Sequence, residues 1–495
     1  MKARTARQFV WLVSAFLAVE AHTLGQTSPV REWTYTLLDG STLIDDCFCG
    51  RPPIPYALRG TFRMRFLDEN PLFARYELTD IAFLAGAPPS QFRVTGHGVY
   101  EVGGEVALVQ DLTLELQVET SFTNKTGVFT NEPETRILSR PWPMLQARTS
   151  QDPGNDIQFY RLWLEAAPIR EIWFSTVSGL TPSAALGPVQ PTRVSPGDLI
   201  SSTGRIVKRN AELTQLLGIM PAVPDLGLDA VDVLPGGEIV FSTEQDDFSE
   251  TLGERLQHGD LLSERGRVVK NNQELTRAFV ILPPVPDVGL DAVHVRDDGE
   301  IYFSIETSIF SGTGGQLNHG DLLSDQGRIV KSNQQLLAQF HPAKRDLDYG
   351  LDAVHVWSSG EIWFSTGEGF QDSQLGQIMP GDLLSDQGYV VFHNLELTGA
   401  FKPIEDLADF GLDAVFVVSD AGPPAPAASL ALQVERENGK VRLQWDNKGR
   451  AFQLEKATEV QGPYLPITAI LTDSAFDLLE SLSEQPRGFY RLRLW

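Results

Sequence analysis

One phrase occurs four times in the middle of this 495-residue chain. The sequence GLDAV begins at residues 227, 289, 350 and 411, at spacings of 62, 61 and 61 residues. Two companion motifs keep the same period: GD-L-L/I-S begins at Gly197, Gly259, Gly320 and Gly381, and E-I-x-F-S begins at Glu171, Glu238, Glu300 and Glu361. A fixed period of this length is typical of blade or solenoid architectures, so the repeat constrains the fold more than any local pattern does.

Each repeat is predicted to supply four short strands, which is the content of one propeller blade. The first unit begins at E-I-W-F-S and the last ends at GLDAVFV, so one blade is predicted to be split between the two ends of the region. The strand-like segment 159–165 is the alternative occupant of the missing position. A recurring asparagine suits a helix N-cap or an Asx-turn, and it stands at Asn210, Asn272, Asn333 and Asn394.

The order L-D-A-V, then G-E-I-Y/W-F, then a third strand and a proline-bearing loop resembles the hemopexin-type four-bladed propeller repeat over residues 171–417. The resemblance implies blades around a central channel where that family binds ions, with the GLDAV aspartates near the channel mouth. Calcium takes several oxygen ligands, so these aspartates are its candidate ligands: Asp229, Asp291, Asp352 and Asp413. The alternative, which we favour, is that repeated carboxylates cap turns and serve the fold alone.

The whole chain is predicted to be all-β, in three modules. Residues 26–168 show period-two alternation and predict an antiparallel barrel or sandwich, and residues 169–420 form the four-repeat propeller-like domain. The Pro- and Ala-rich segment 421–428 is a linker. Residues 429–495 carry V-R-L-Q-W, F-Q-L-E-K-A-T and F-Y-R-L-R, and they resemble the fibronectin- or immunoglobulin-like sandwich of large secreted bacterial proteins.

The first 25 residues have the pattern of a secretory signal peptide. Three basic residues precede an apolar run from Phe9 to Val19, which is too short to span a membrane. We therefore expect a secreted or periplasmic protein with no membrane span after cleavage. The formal net charge of −25 argues against nucleic acid as a partner. The oligomeric state is not fixed by the sequence.

Cys47 and Cys49 are the two cysteines of the chain. They could act as a redox or metal-binding pair, but four-ligand zinc needs more ligands than this segment supplies. A local turn clip or two free thiols is the favoured interpretation.

Two sets of side chains are candidates for binding. The loops between E-I-x-F-S and GD carry Phe248, Phe310 and Phe370 beside polar residues, where exposed rings would suit sugars or peptides. The alternative is that each ring only packs its loop onto the blade. The position after GLDAV varies and is a candidate metal or acid–base cluster, although we favour a solvent-facing strand side; it holds Asp232, His294, His355 and Phe416.

No G-x-S-x-G, Walker or H-E-x-x-H motif occurs in the chain. The sequence therefore predicts an exported, non-catalytic binding or scaffolding protein whose ligand is a glycan or a protein, and an enzyme is the less favoured class. A polysaccharide-acting enzyme with its site on one propeller face is the first alternative, since an acidic propeller offers carboxylate pairs. A calcium-stabilised structural module is the second.

Overall fold

The computed structural model describes residues 32–419, except for 71, 105–108, 139, 141, 155, 184–192, 221–222, 224, 286 and 314, together with short segments between 433 and 494. The predicted signal peptide and the predicted linker 421–428 lie outside the described residues. Within those residues the chain is mostly β, and no helix is long and apolar enough to cross a bilayer.

The N-terminal module is a closed antiparallel barrel. Consecutive strands pair from β3 to β9, β9 pairs with β2, and β2 pairs with β3, which closes the sheet; β1 pairs with both β3 and β9. The strands are β1 Glu32–Leu37, β2 Thr42–Cys47, β3 Ile54–Glu69, β4 Phe73–Ala85, β5 Phe92–Gly103, β6 Val109–Glu119, β7 Asn124–Asn131, β8 Leu145–Gln151 and β9 Gln158–Ala167. Of the predicted barrel and sandwich, the pairing selects the barrel.

Alternation along the strands fills the barrel with side chains. In β6, Leu112, Leu114 and Leu116 are buried while the residues between them are exposed, as expected when successive side chains point to opposite faces. Large aromatic residues such as Tyr35 and Tyr100 occupy the interior. Where β2 ends, Cys47 and Cys49 form a disulfide with each other, so the turn clip is confirmed and the two cysteines are not free thiols.

The repeats form four four-stranded antiparallel sheets, called blades 1 to 4 here. Blade 1 consists of β10 Ile169–Phe174, β11 Leu199–Ser201, β12 Arg205–Lys208 and β31 Val415–Ser419. Blade 2 consists of β13 Val231–Val233, β14 Ile239–Phe241, β17 Leu261–Ser263 and β18 Arg267–Lys270. Blade 3 consists of β19 Val293–Val295, β20 Ile301–Phe303, β23 Leu322–Ser324 and β24 Arg328–Lys331. Blade 4 consists of β25 Val354–Val356, β26 Ile362–Phe364, β29 Leu383–Ser385 and β30 Tyr389–Phe392.

Among the residues that the structure describes, three blades carry an extra two-stranded hairpin, and each repeat has a one-turn helix after its last strand. The hairpins are β15 Asp247–Ser249 with β16 Glu254–Leu256, β21 Ile309–Ser311 with β22 Gly315–Leu317, and β27 Phe370–Asp372 with β28 Gly376–Ile378. The helices are α1 Asn210–Leu213, α2 Asn272–Thr276, α3 Asn333–Leu336 and α4 Asn394–Thr398.

The four blades close into a ring around a central channel. The strands that follow the GLDA residues (β31, β13, β19 and β25) are the innermost ones and contact each other in that order. The strand β31 pairs with β10, so blade 1 is built from both ends of the repeat region and the predicted split blade is confirmed. The alternative prediction, that residues 159–165 supply the missing strand of this blade, is wrong because these residues belong to β9 of the barrel.

The serine of E-I-x-F-S ties each blade to the next. Ser304 Oγ of blade 3 donates to the carbonyl oxygen of Leu351, 2.7 Å away, in the strand entry of blade 4. The same bond recurs at every junction, from Ser175 to Leu228, Ser242 to Leu290 and Ser365 to Leu412. A buried hydroxyl and a buried carbonyl thus satisfy each other, which explains why serine recurs at this position.

The GD aspartates serve the fold, as the favoured interpretation predicted. Asp321 accepts hydrogen bonds from the backbone N–H groups of Asn318 and Asn333, at 2.9 and 3.1 Å, and the other three repeats do the same. The helix-cap prediction for the asparagines is wrong: Asn333 is the first residue of α3, and its N-cap is Ser332. Its side chain is buried and instead bonds the GLDAV loop, to the N–H of Tyr349 and the carbonyl of Gly350.

The barrel packs against blades 4 and 1. Barrel residues Leu38 and Met144 share one apolar cluster with Trp363 and other blade residues. In blades 1 to 3 an arginine pairs with the E-I-x-F-S glutamate, whereas blade 4 has Tyr389 at that position. Arg140 of the barrel lies over the Tyr389 ring, 3.6 Å from its centroid, and forms an ion pair with Glu165 of the barrel at 2.8 Å.

The C-terminal residues contribute two three-stranded antiparallel sheets. One has the order β32–β33–β36 and the other β35–β34–β37. The strands are β32 Gln433–Glu437, β33 Lys440–Gln444, β34 Phe452–Ala457, β35 Leu465–Pro466, β36 Ala475–Leu478 and β37 Phe489–Leu494.

Candidate functional site

The four GLDAV aspartates converge at one end of the channel. Asp229 and Asp413 are buried, Asp291 and Asp352 are half-buried, and charges of other ring aspartates act on Asp229, Asp291 and Asp413. Burial raises the pKa of Asp352 to about 7, and burial together with the Asp352 and Glu244 charges raises the pKa of Asp413 to about 8. Burial first, and neighbouring carboxylates second, raise the pKa values of Asp229 and Asp291 as well. Carboxyl groups crowded in this way hold protons near neutral pH, because their charged forms repel one another.

Two glutamates at the same end of the channel occur in only two of the four repeats. Glu244 and Glu306 occupy the position where the other two repeats have Val177 and Gly367. Both glutamates are exposed, and each lies over the GLDAV glycine of its own blade, Glu244 over Gly227 and Glu306 over Gly289. A Cβ at Gly289 would lie 2.5 Å from Glu306 Cδ. Partial burial of its carboxyl group raises the pKa of Glu306, and the nearby His258 opposes this effect.

A histidine lies beside the four aspartates and two glutamates at this end of the channel, which is called the acidic mouth here. His258 Nδ1 lies 2.8 Å from Asp246 Oδ1, and its Nε2 lies 3.9 Å from Glu306 Oε2 and 3.8 Å from Asp287 Oδ1. Burial lowers the pKa of His258, but the hydrogen bond that its ring donates to Asp246 and the charges of the nearby carboxylates outweigh burial and raise the pKa. A raised imidazole pKa beside raised carboxyl pKa values makes the mouth a place where protons exchange near neutral pH.

The acidic ring does not have the arrangement of a calcium site. Asp229 Oδ2 is buried without a hydrogen-bond partner, and oxygen donors suit calcium. However, no group of three or more His, Cys, Asp or Glu side chains among the described residues is arranged to hold a metal ion. The side chains as placed do not fit the ion, so calcium remains an expectation from the sequence and no chemistry is derived from it.

A second layer of side chains lies farther along the channel, at the position after GLDAV. His294 Nδ1 lies 3.6 Å from Asp232 Oδ2, the His294 and His355 rings are 5.4 Å apart, and the His355 and Phe416 rings are 6.5 Å apart. The favoured prediction of a solvent-facing strand side is therefore wrong. The four side chains face one another across the channel because each occupies the same place on an innermost strand.

Burial determines the charges in this layer. It raises the pKa of Asp232 to about 7, even though the carboxylate accepts hydrogen bonds from the N–H groups of Val233 and Val295. Burial also lowers the pKa of His294 to about 4, with a contribution from Arg296. His294 Nδ1 is buried without a hydrogen-bond partner, so the layer holds neutral imidazoles at neutral pH.

The three candidate phenylalanines occupy the extra hairpins, and they differ in exposure. Phe248 is 45% exposed and Phe310 is 63% exposed, on equivalent hairpins of adjacent blades. Phe370 is 4% exposed and packs on Tyr349 and Phe340, with ring centroids at 5.0 and 6.0 Å. Of the two alternatives, the packing role applies to Phe370, whereas Phe248 and Phe310 present their rings at the surface.

Sequence reasoning did not find three features of this region. The Glu244 and Glu306 pair was visible as a departure from the repeat directly after E-I-x-F-S. The docking position of the barrel was signalled by Tyr389 and Phe392, where the other repeats have arginine and lysine. The cavity between barrel and propeller left no signal, because it depends on two modules that are distant in sequence.

No protein-family model and no curated protein sequence matches this chain. Two solved structures are similar over most of its length, both described as the extracellular domain of a signalling protein from B. thetaiotaomicron. One is a putative one component system, at 6% identity, covering 90% of this chain and 94% of that chain with a TM-score of 0.21. The other is a putative hybrid two component system, at 5% identity, covering 91% and 94% with a TM-score of 0.22. Similarity at this level supports no inference about fold or function.

Proposed function

We propose that this chain is an exported, non-catalytic binding protein that holds an uncharged glycan on the hairpins of blades 2 and 3. The observation that carries the proposal is the pair of exposed rings, Phe248 and Phe310, at equivalent places on adjacent blades. Aromatic faces on a rigid scaffold suit the apolar face of a sugar ring. Export is proposed from the signal-peptide pattern of residues 1–25.

The hairpins are held firmly enough to present these rings. The N–H of Met220 donates to the Phe248 carbonyl at 3.1 Å, and the N–H of Leu282 donates to the Phe310 carbonyl at 3.0 Å. Each hairpin is thereby tied to the loop that leads into its blade. A ring fixed in place loses little entropy on binding, which favours affinity.

Polar side chains surround the rings. Arg255 lies opposite Phe248 in its hairpin and pairs with Asp246 at 2.8 Å, while Gln316 lies opposite Phe310. Guanidinium, carboxylate and amide groups beside an aromatic face are the donors and acceptors that sugar hydroxyls require. This combination favours a glycan over an apolar protein surface.

The test is retention of the full chain on insoluble cell-wall, plant and algal polysaccharides, with released reducing ends assayed in the supernatant. We expect retention without release, and loss of retention in the double variant Phe248→Ala/Phe310→Ala. The matched control is Phe122→Ala, which removes a ring that is 89% exposed on the barrel. Equal loss in the control, or full retention by the double variant, would overturn the proposal.

A specific observation favours a polysaccharide-acting enzyme as the second candidate. The Asp229–Glu306 pair interrupts the repeat symmetry at the channel mouth, and burial raises the pKa of both carboxyl groups. Two neighbouring carboxyl groups, one repeated in every blade and one not, are the kind of pair that glycoside hydrolysis uses. Release of reducing ends that Glu306→Gln abolishes, while retention persists, would make this the function.

A further inference from the structure

The junctions between blades share an ion pair at three of four places. A lysine in the last strand of one blade contacts an acidic residue after the LLS strand of the next. The pairs are Lys208 with Glu264 at 3.0 Å, Lys270 with Asp325, and Lys331 with Asp386. The repetition shows that this contact belongs to the way neighbouring blades hold together.

The fourth junction, between blades 4 and 1, lacks both residues of this ion pair. Phe392 replaces the lysine and Ser202 replaces the acid, so no ion pair forms between these two positions. The barrel covers this junction: Arg59 donates to Asp39 at 2.6 Å within the barrel and to Glu396 of α4 at 2.7 Å. In repeat proteins, a departure from the shared pattern marks a place with a role of its own.

A cavity of about 400 Å³ lies at this junction, between the barrel and the two blades. That volume falls within the range of small-molecule pockets, about 300–1,000 Å³, and such pockets form preferentially between domains. Its lining combines apolar side chains with hydroxyl and charged ones. The lining includes the charged and polar side chains of Arg59, Thr61, Glu171 and Ser202 and the apolar side chains of Ile172 and Phe392.

The charges of Arg59, Glu396 and Glu171 in the lining have partners of opposite sign. Arg59 contacts the carboxylates of Asp39 and Glu396, and Glu171 pairs with Arg205 at 2.5 Å. An ionic ligand would have to displace one of these partners, and a buried or half-buried charge left alone is costly. The chemistry therefore favours an uncharged ligand.

The remaining lining groups define the ligand further. Thr61 and Ser202 offer hydroxyl groups, and the ion-paired Arg59 and Glu171 offer a donor and an acceptor. The buried side chains of Phe392 and Ile172 supply the apolar part of the lining. Many hydroxyls together with one apolar face are the properties of a sugar ring.

We propose that this junction cavity is a binding site for a small uncharged sugar, a mono- or disaccharide. The site is separate from the exposed rings of blades 2 and 3, and it requires neither retention on a polysaccharide nor catalysis. Its two departures from the repeat, Phe392 and Ser202, create the space that the ion pair fills elsewhere.

The test is isothermal titration calorimetry of the full chain with maltose, cellobiose and N,N′-diacetylchitobiose, with glucuronate and glucosamine as charged comparators. Thr61 is exposed at the cavity mouth, so Thr61→Trp blocks entry without altering the core. The matched control is Thr113→Trp, an exposed threonine on β6 away from the cavity.

We expect at least one neutral disaccharide to bind, with affinity at least tenfold lower in Thr61→Trp and unchanged in Thr113→Trp. Melting temperatures of the two variants, measured without sugar, show whether both are folded. Binding by none of the neutral sugars, preference for a charged comparator, or equal affinity in both variants would overturn the proposal. The Phe248→Ala/Phe310→Ala variant keeps the cavity, so we expect it to bind the disaccharide as the wild type does. Its titration therefore tests the cavity independently of the proposed glycan binding on the hairpins.

Discussion

Replacing Asp413 with asparagine should make the stability of the protein less dependent on pH. Asp413 is 8% exposed in the acidic ring, and its pKa is raised to about 8 by burial and by the charges of Asp352 and Glu244. In an unfolded chain an aspartate has a pKa of about 3.9. The folded state therefore binds this proton far more tightly than the unfolded state does.

The sign and size of the effect follow from this difference. Because the folded-state pKa is raised, the stabilisation is fully present below about pH 4 and is lost as the pH rises through about 8. Each pH unit in that window lowers the free energy of unfolding by about 1.4 kcal/mol. Between pH 5.5 and 7.5 the Asp413 carboxyl accounts for about 3 kcal/mol, which Asp413→Asn removes.

The assay is urea unfolding of the full chain at pH 5.5, 6.5 and 7.5, followed by tryptophan fluorescence. The matched control is Asp297→Asn, which removes one negative charge from an exposed turn of the same propeller. We expect the free energy of unfolding of the wild type to fall more steeply with pH than that of Asp413→Asn. Parallel pH dependences for the two proteins would refute the reasoning, because the Asp413 proton would then contribute nothing.

Three further changes test other parts of the structure. Ser304→Ala leaves the buried Leu351 carbonyl without its donor and should lower the free energy of unfolding by about 1–3 kcal/mol, measured in urea; no change would contradict the blade tie. Arg140→Met removes the cation above Tyr389 and should lower the melting temperature of the full chain and expose the module boundary to protease; an unchanged digestion pattern would contradict it. His294→Phe removes an imidazole whose pKa is lowered to about 4, a group whose stabilisation is present above about pH 6.5 and lost as the pH falls through 4. The variant should therefore lose less stability than the wild type between pH 6.5 and 4, and an equal loss would refute this explanation.

The repeat period predicted the propeller because it reports on backbone pairing, which every unit must share. The phase of the motifs even predicted the split blade that β31 and β10 form. The same shared pattern misled the prediction for the asparagines. A recurring Asn333 looks like a cap in sequence, but only the fold shows that the GLDAV loop lies against it.

The candidate sites were harder to predict, since exposure depends on what covers a residue. Phe370 is the first residue of β27, whereas Phe310 is the second residue of β21, so their rings point to opposite faces of their hairpins and Tyr349 packs on Phe370. The variable position containing His294 looked exposed because variation is usual at surfaces. In a ring of four blades the innermost strands face one another, so a variable position can be buried across a channel.

The pairing of Ile169 with Ser419 sets the order in which the chain can finish folding. During synthesis one edge of β10 has no partner until the last repeat has emerged, while the barrel and the middle blades are already available to fold. An unpaired strand edge can pair with another chain, and strand pairing over so long a separation is slow. Concentration during refolding should therefore decide the yield of closed rings, with exchanged β31 strands as the competing product.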